Sequence, residues 1–174
     1  MASFFRTKTP EHLLVKAAIG MIAGMVATGP MTVAMILWHR RLPSHEKYPL
    51  PPREITEHLS DRIGIGDQMN EPEKAAATLL AHFGYGSAAG GLYTFFPITK
   101  ETPGLASGAL FGLLLWAGSY FGLLPATGLL SSAKEHPARR NLLMAGAHAV
   151  WGLALGGLVR LFFEEAGEDE CRTV

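Results

Sequence analysis

Four stretches of the chain contain no Asp, Glu, Lys or Arg: residues 17–39, 75–99, 102–133 and 141–159. All 30 formal charges therefore crowd into the 75 positions that remain. A helix on the surface of a water-soluble domain keeps one polar face, which disperses charge along the chain. A hydrocarbon core about 30 Å thick instead asks for about 20 mostly apolar residues per helix. Each uncharged stretch is long enough. No stretch alternates apolar and polar residues as a membrane β-strand does. The pattern predicts an all-α integral membrane protein, a four-helix bundle with spans at about 14–38, 75–98, 104–124 and 141–163. These form one transmembrane domain over residues 1–163.

The first span follows Arg6, Lys8 and Lys16 as a signal peptide would, but its apolar run from Ala17 to Trp38 exceeds the 7–15 residues of a signal core. It reads as a retained span. Pro30 inside it removes one helical hydrogen bond and predicts a kink near Val26–Pro30, with Thr28 or Thr32 to satisfy the freed carbonyl. In the third uncharged stretch, Pro125 and Ala126-Thr127-Gly128 are expected to end the helix.

Residues 39–74 form the one large polar loop. Pro49-Leu50-Pro51-Pro52 is extended and can open a helix, because the first amides of a helix lack partners anyway. Ile55, Leu59 and Ile63 then recur every four residues among charged positions, predicting an amphipathic helix on the membrane surface or docked on the bundle. Gly64-Ile65-Gly66-Asp67 breaks it. Residues 164–174 read as an acidic, flexible tail.

Charge orients the spans. The third loop carries Lys134, Arg139 and Arg140, whereas the second has only Lys100. By the positive-inside rule, loops one and three face the cytoplasm and both termini the periplasm, on a bias small enough to keep the inverted topology open. Net charge is zero and no basic stripe exists, which argues against a nucleic-acid partner. The single cysteine, Cys171, excludes an internal disulfide.

Spans two and four repeat one motif. Ala81-His82-Phe83-Gly84-Tyr85-Gly86 through Gly90-Gly91-Leu92 and Ala147-His148-Ala149-Val150-Trp151-Gly152 through Gly156-Gly157-Leu158 both read Ala-His-x-x-aromatic-Gly-x-x-x-Gly-Gly-Leu, at an offset of 66. Spans one and three echo each other more faintly, Gly20 and Gly24 against Gly104 and Gly108, at an offset of 84. The pattern predicts a duplicated two-helix repeat, its pseudo-twofold axis along the membrane normal. Small residues four apart let helix backbones approach where lipid offers no hydrophobic drive. Gly20/Gly24, Gly86/Gly90, Gly104/Gly108/Gly112, Gly118/Gly122 and Gly152/Gly156 are the candidate packing sites, within the bundle or between copies of the chain.

His82 and His148 share those glycine faces and are the candidate chemical groups. Polar residues inside a membrane mark function by default. The favoured reading is structural: each neutral imidazole bonded to a carbonyl or to Tyr85, Ser87 or Ser119 across the bundle. The alternatives are a bis-histidine haem b electron carrier, with Arg40, Arg41, Arg139 and Arg140 for the propionates, and a small solute or proton conduit. Otherwise no cofactor or metal is expected. No nucleophile–base set or phosphate loop appears, so an enzyme is not expected.

Gly20-Met21-Ile22-Ala23-Gly24, Pro49-Leu50-Pro51-Pro52-Arg53 and the histidine motifs at His82 and His148 resemble the YagU-like family of small bacterial inner-membrane proteins. The resemblance implies a helical bundle in the bacterial inner membrane and carries no activity with it. The expectation is a non-catalytic multi-pass protein acting as a subunit, scaffold or homo-oligomer among lipid.

Overall fold

The computed structural model describes residues 10–96 and 104–172, with the backbone alone for 164–172. Lys100, used above to orient the chain, and Arg6 and Lys8, which precede the first span, lie outside the described residues. Among the described residues the fold is all-α, without strands. The helices are α1 (Pro10–Arg40), α2 (Pro51–Arg62), α3 (Glu71–Tyr93), α4 (Leu105–Gly118), α5 (Leu124–Thr127) and α6 (Ala138–Arg172).

Three helical segments are long and apolar enough to cross a membrane: Pro10–Arg40, Leu105–Thr127 and Ala138–Phe163. The expected second span, 75–98, is not among them. Its helix, α3, opens with Glu71, Glu73 and Lys74 and is rich in Ala and Gly, which pack well but contribute little hydropathy. The start of α3 is firmly set. Asn70 and Glu73 form a reciprocal capping box, Glu73 N–H to Asn70 Oδ1 at 3.0 Å and Asn70 N–H to Glu73 Oε2 at 2.8 Å.

Backbone contact between glycines builds the core. A Cβ on Gly20 or Gly90 would strike the other's carbonyl oxygen, and one on Gly24 would strike that of Gly86. In the second pair, Gly156 meets the Gly104 carbonyl, and Gly108 and Gly152 meet each other's. Shifted by 84 and 66, Gly20–Gly90 becomes Gly104–Gly156, and Gly24–Gly86 becomes Gly108–Gly152. The α1–α3 and α4–α6 pairs are thus packed through corresponding residues. All of these but Gly104, whose own added Cβ would meet nothing within 4 Å, are used up inside the chain and are not free for contacts between copies. Gly118 and Gly122, by contrast, face open space.

α1 also packs along α6. Trp151, 2% exposed, fills that interface and donates its indole N–H to the Gly24 carbonyl at 3.2 Å. The same carbonyl accepts from Thr28 Oγ1 at 2.8 Å, and Thr32 Oγ1 donates to the Thr28 carbonyl at 2.7 Å. Both hydroxyls therefore bond one turn back from themselves and leave the Val26 carbonyl, opposite Pro30, unserved. α1 nonetheless continues unbroken through Pro30.

Pro125 does not end its helix. The chain widens first into a π-turn over Ser119–Leu123, with Leu124 N–H bonded to the Ser119 carbonyl. A proline needs space at the carbonyl four residues back, and the wider turn supplies it. The helix stops at Thr127, where Gly128 takes a left-handed φ of 64°. α6 runs past the expected boundary at 163 to Arg172. Four of the seven residues in 164–170 are Glu, a good helix former that favours the continuation, where a flexible tail was expected.

Candidate ligand cavity

α3 and α4 scarcely touch backbone to backbone, unlike α1 and α6. They meet at one end, where Tyr93 and Ser107 hydroxyls are 2.9 Å apart and buried, and where Tyr93, Phe96 and Phe111 stack at 5.2–5.3 Å. Below this plug they part. The space between them, walled behind by α1 and α6, is a cavity of about 350 Å³.

Both sequence-predicted histidines line it, His82 from α3 and His148 from α6. Neither ring bonds to Tyr85, Ser87 or Ser119; His148 takes the carbonyl alternative. His148, 7% exposed, places Nδ1 2.8 Å from the Met144 carbonyl of its own helix. His82 Nε2 is buried without a hydrogen-bond partner. The polar links between helices run through other residues: Tyr85 Oη to Ser119 Oγ at 3.0 Å, Ser87 Oγ to the Met21 carbonyl at 3.0 Å, Tyr93 to Ser107, and Trp151 to Gly24. Sequence reasoning had Tyr85 and Ser119 as partners for histidines; the structure pairs them with each other across the open seam.

The remaining walls are mainly apolar and aromatic, including Met31, Met35, Leu115 and Trp151. Tyr120, missed by sequence reasoning, stands edge-on to the His148 ring with centroids 6.1 Å apart. Its only sequence signal was its position four residues after Trp116 and five before Pro125, which says nothing of its direction. No carboxylate lines the cavity.

α2 closes the far end. Pro51, Pro52, Ile55 and Thr56 contribute to the lining. Of the apolar stripe expected to lie on the membrane surface or dock on the bundle, Leu59 and Ile63 are turned outward, 47% and 62% exposed. Polar residues hold α2 instead. Glu54 accepts from Arg140 of α6 at 2.8 Å, His58 Nδ1 lies 2.7 Å from the Leu129 carbonyl, and Arg62 donates to the Thr127 and Gly128 carbonyls at 2.7 and 2.9 Å. These three residues are spaced four apart, one stripe along a helix. On its other side Arg53 bridges Glu57 and Glu71, and both carboxylates hold its guanidinium protonated more firmly than usual. Loops one and three therefore cap the same end of the protein.

Of the arginines named for haem propionates, Arg140 is buried and committed to Glu54, with its guanidinium 5.7 Å from the Tyr48 ring centroid. No family, curated protein or solved structure matches this chain. The cavity's chemistry must speak for itself.

Proposed function

We propose that this chain is an integral membrane protein that holds a small, mostly apolar molecule taken from the bilayer, and that it works by binding, not catalysis. The observation that carries the reading is the convergence of His82 and His148, 66 residues apart, on one apolar cavity. Buried polar atoms in native proteins find partners, and His82 Nε2 has none among the described residues. Ligand sites have this composition: apolar walls and a few convergent polar groups.

The membrane setting rests on the three long apolar helices and on the large side chains they expose, among them Ile22, Val33, Leu114, Leu142 and Leu161. Exposed apolar area on that scale suits lipid. In this reading α1, α3, α4 and α6 form a four-helix bundle in a bacterial inner membrane, with Ser87 and Tyr93 of α3 bonded to the neighbouring helices. The matched glycine contacts favour descent from a duplicated helix pair. The two halves then diverge at one place: Trp151 seals the α1–α6 interface, and the corresponding Tyr85 leaves the α3–α4 seam open.

Native mass spectrometry of protein extracted with its own lipid tests the proposal. A bound small molecule is expected on the wild type and not on Leu115→Trp, which fills the cavity. Protein carrying nothing beyond annular lipid, or an adduct indifferent to Leu115→Trp, overturns it. A second reading, haem b between the histidines, draws on the same convergence but loses Arg140 as a propionate partner. A Soret band in the purified protein would restore it.

A further inference from the structure

The hydrogen-bond polarity of the cavity narrows its ligand. His148 Nδ1 faces a backbone carbonyl, which can only accept. That nitrogen must therefore carry the proton, and in a neutral imidazole the other nitrogen, Nε2, is then a bare acceptor. No carboxylate among the lining residues supports a second proton on the ring. A ligand that satisfies His148 has to bring a donor.

The walls describe the rest of the molecule. Tyr120 stands edge-on to the imidazole, Trp151 and Tyr85 add aromatic surface, and the volume of about 350 Å³ lies at the small end of the range for ligand pockets, about 300–1,000 Å³. That space suits a ring system better than a whole phospholipid. The seam between α3 and α4, bridged by the Tyr85–Ser119 hydrogen bond alone among the described side-chain pairs at that level, leads outward to the apolar exterior. Tyr85 itself is 46% exposed there.

Building on the binding function proposed above, we infer that the cavity takes an apolar ring compound bearing a hydroxyl group, of the phenol or quinol class, whose O–H is donated to His148 Nε2. His82, whose Nε2 is unpartnered, supplies a second polar contact of either sense, since its tautomer is not tied to a carbonyl. Any tail on the ring leaves through the α3–α4 seam into lipid.

The test compares naphthalene, 1-naphthol and 1-methoxynaphthalene for saturable binding to the full chain in lipid nanodiscs, over empty nanodiscs. The naphthol is expected to bind at least about fivefold tighter than its methyl ether, because the ether has no O–H to donate to His148 Nε2. His148→Phe keeps a ring of similar bulk and should erase that preference while still binding naphthalene. Equal affinity of naphthol and ether for the wild type overturns the hydroxyl inference and leaves the binding proposal standing. A preference that survives His148→Phe overturns the assignment to His148. Failure of all three probes to saturate overturns both readings at once. Should His148→Phe not fold, ¹⁵N-histidine spectra of the wild type decide: the His148 Nε2 resonance must move with naphthol and not with the ether, and equal or absent shifts overturn the inference.

Discussion

Replacing Gly90 by alanine tests the helix packing on which the cavity depends. A methyl at Gly90 would meet only backbone: the Gly20 carbonyl oxygen, Gly24 Cα at 2.6 Å and Gly24 N at 2.9 Å. No side chain can swing aside, so α1 and α3 must separate. Overpacking of this kind costs about 1–3 kcal/mol. Gly84 lies in the same helix, and nothing stands within 4 Å of its added Cβ. Alanine at either position brings the same gain in helix propensity, about 0.8–1 kcal/mol, which cancels in the comparison. Gly90→Ala should therefore unfold more easily than Gly84→Ala by about 1–3 kcal/mol. Reversible unfolding in mixed detergent micelles, followed by tryptophan fluorescence and extrapolated linearly, measures both. A difference under about 0.5 kcal/mol would refute the claim that backbone approach through glycine holds α1 to α3.

Three further outcomes are expected. Glu54→Gln leaves the buried Arg140 without a counter-charge and should cost about 1–3 kcal/mol, whereas Glu71→Gln, on the exposed side of Arg53, should cost under about 1 kcal/mol and less in high salt; denaturation at two ionic strengths separates them. Trp151→Phe loses the indole bond to Gly24 and should cost at least about 0.5–1.5 kcal/mol, with more from the smaller ring, read as a lowered melting temperature in detergent. Cysteines at Ser44 and Ser132, in the two loops that cap one end, should be protected together from an impermeant thiol reagent in intact cells while Cys171 labels; opposite behaviour of the two loops would contradict the fold, and joint labelling with Cys171 protected would invert the topology.

Much of the architecture was legible in the chain because lipid imposes a harsh rule on backbone and charge. The uncharged runs located α1, α4 and α6, and the recurrent glycines identified which faces meet. The Pro51-Pro52 start and the Gly64 stop bounded α2. Of the two placements that the stripe of Ile55, Leu59 and Ile63 allowed, membrane surface or bundle, docking through the whole stripe fails, since an ion pair and carbonyl bonds set the helix's rotation. The third span ends within residues 125–128 as expected, but at Gly128 and not at the proline, which the π-turn placed before it lets the helix carry. α3 was counted as a span on the absence of charge, although its small residues leave it less apolar than the other three.

The candidate site divides along the same line. Sequence alone picked His82 and His148, because an ionisable residue in an uncharged helix is rare and a repeat made two of them stand out. It placed both on glycine-lined faces, and both do lie inside the assembly. Only tertiary structure decided that the two rings share one cavity, that His148 spends Nδ1 on its own helix, and that Tyr85 bonds to Ser119. Those outcomes depend on how far apart two helices stand and how each is rotated, which are sums over many contacts between residues distant in sequence. The glycine spacing is the same in both helix pairs, but it cannot say that α1 closes on α6 around Trp151 while α3 and α4 stay apart. That asymmetry, a property of packing and not of any motif, makes the cavity.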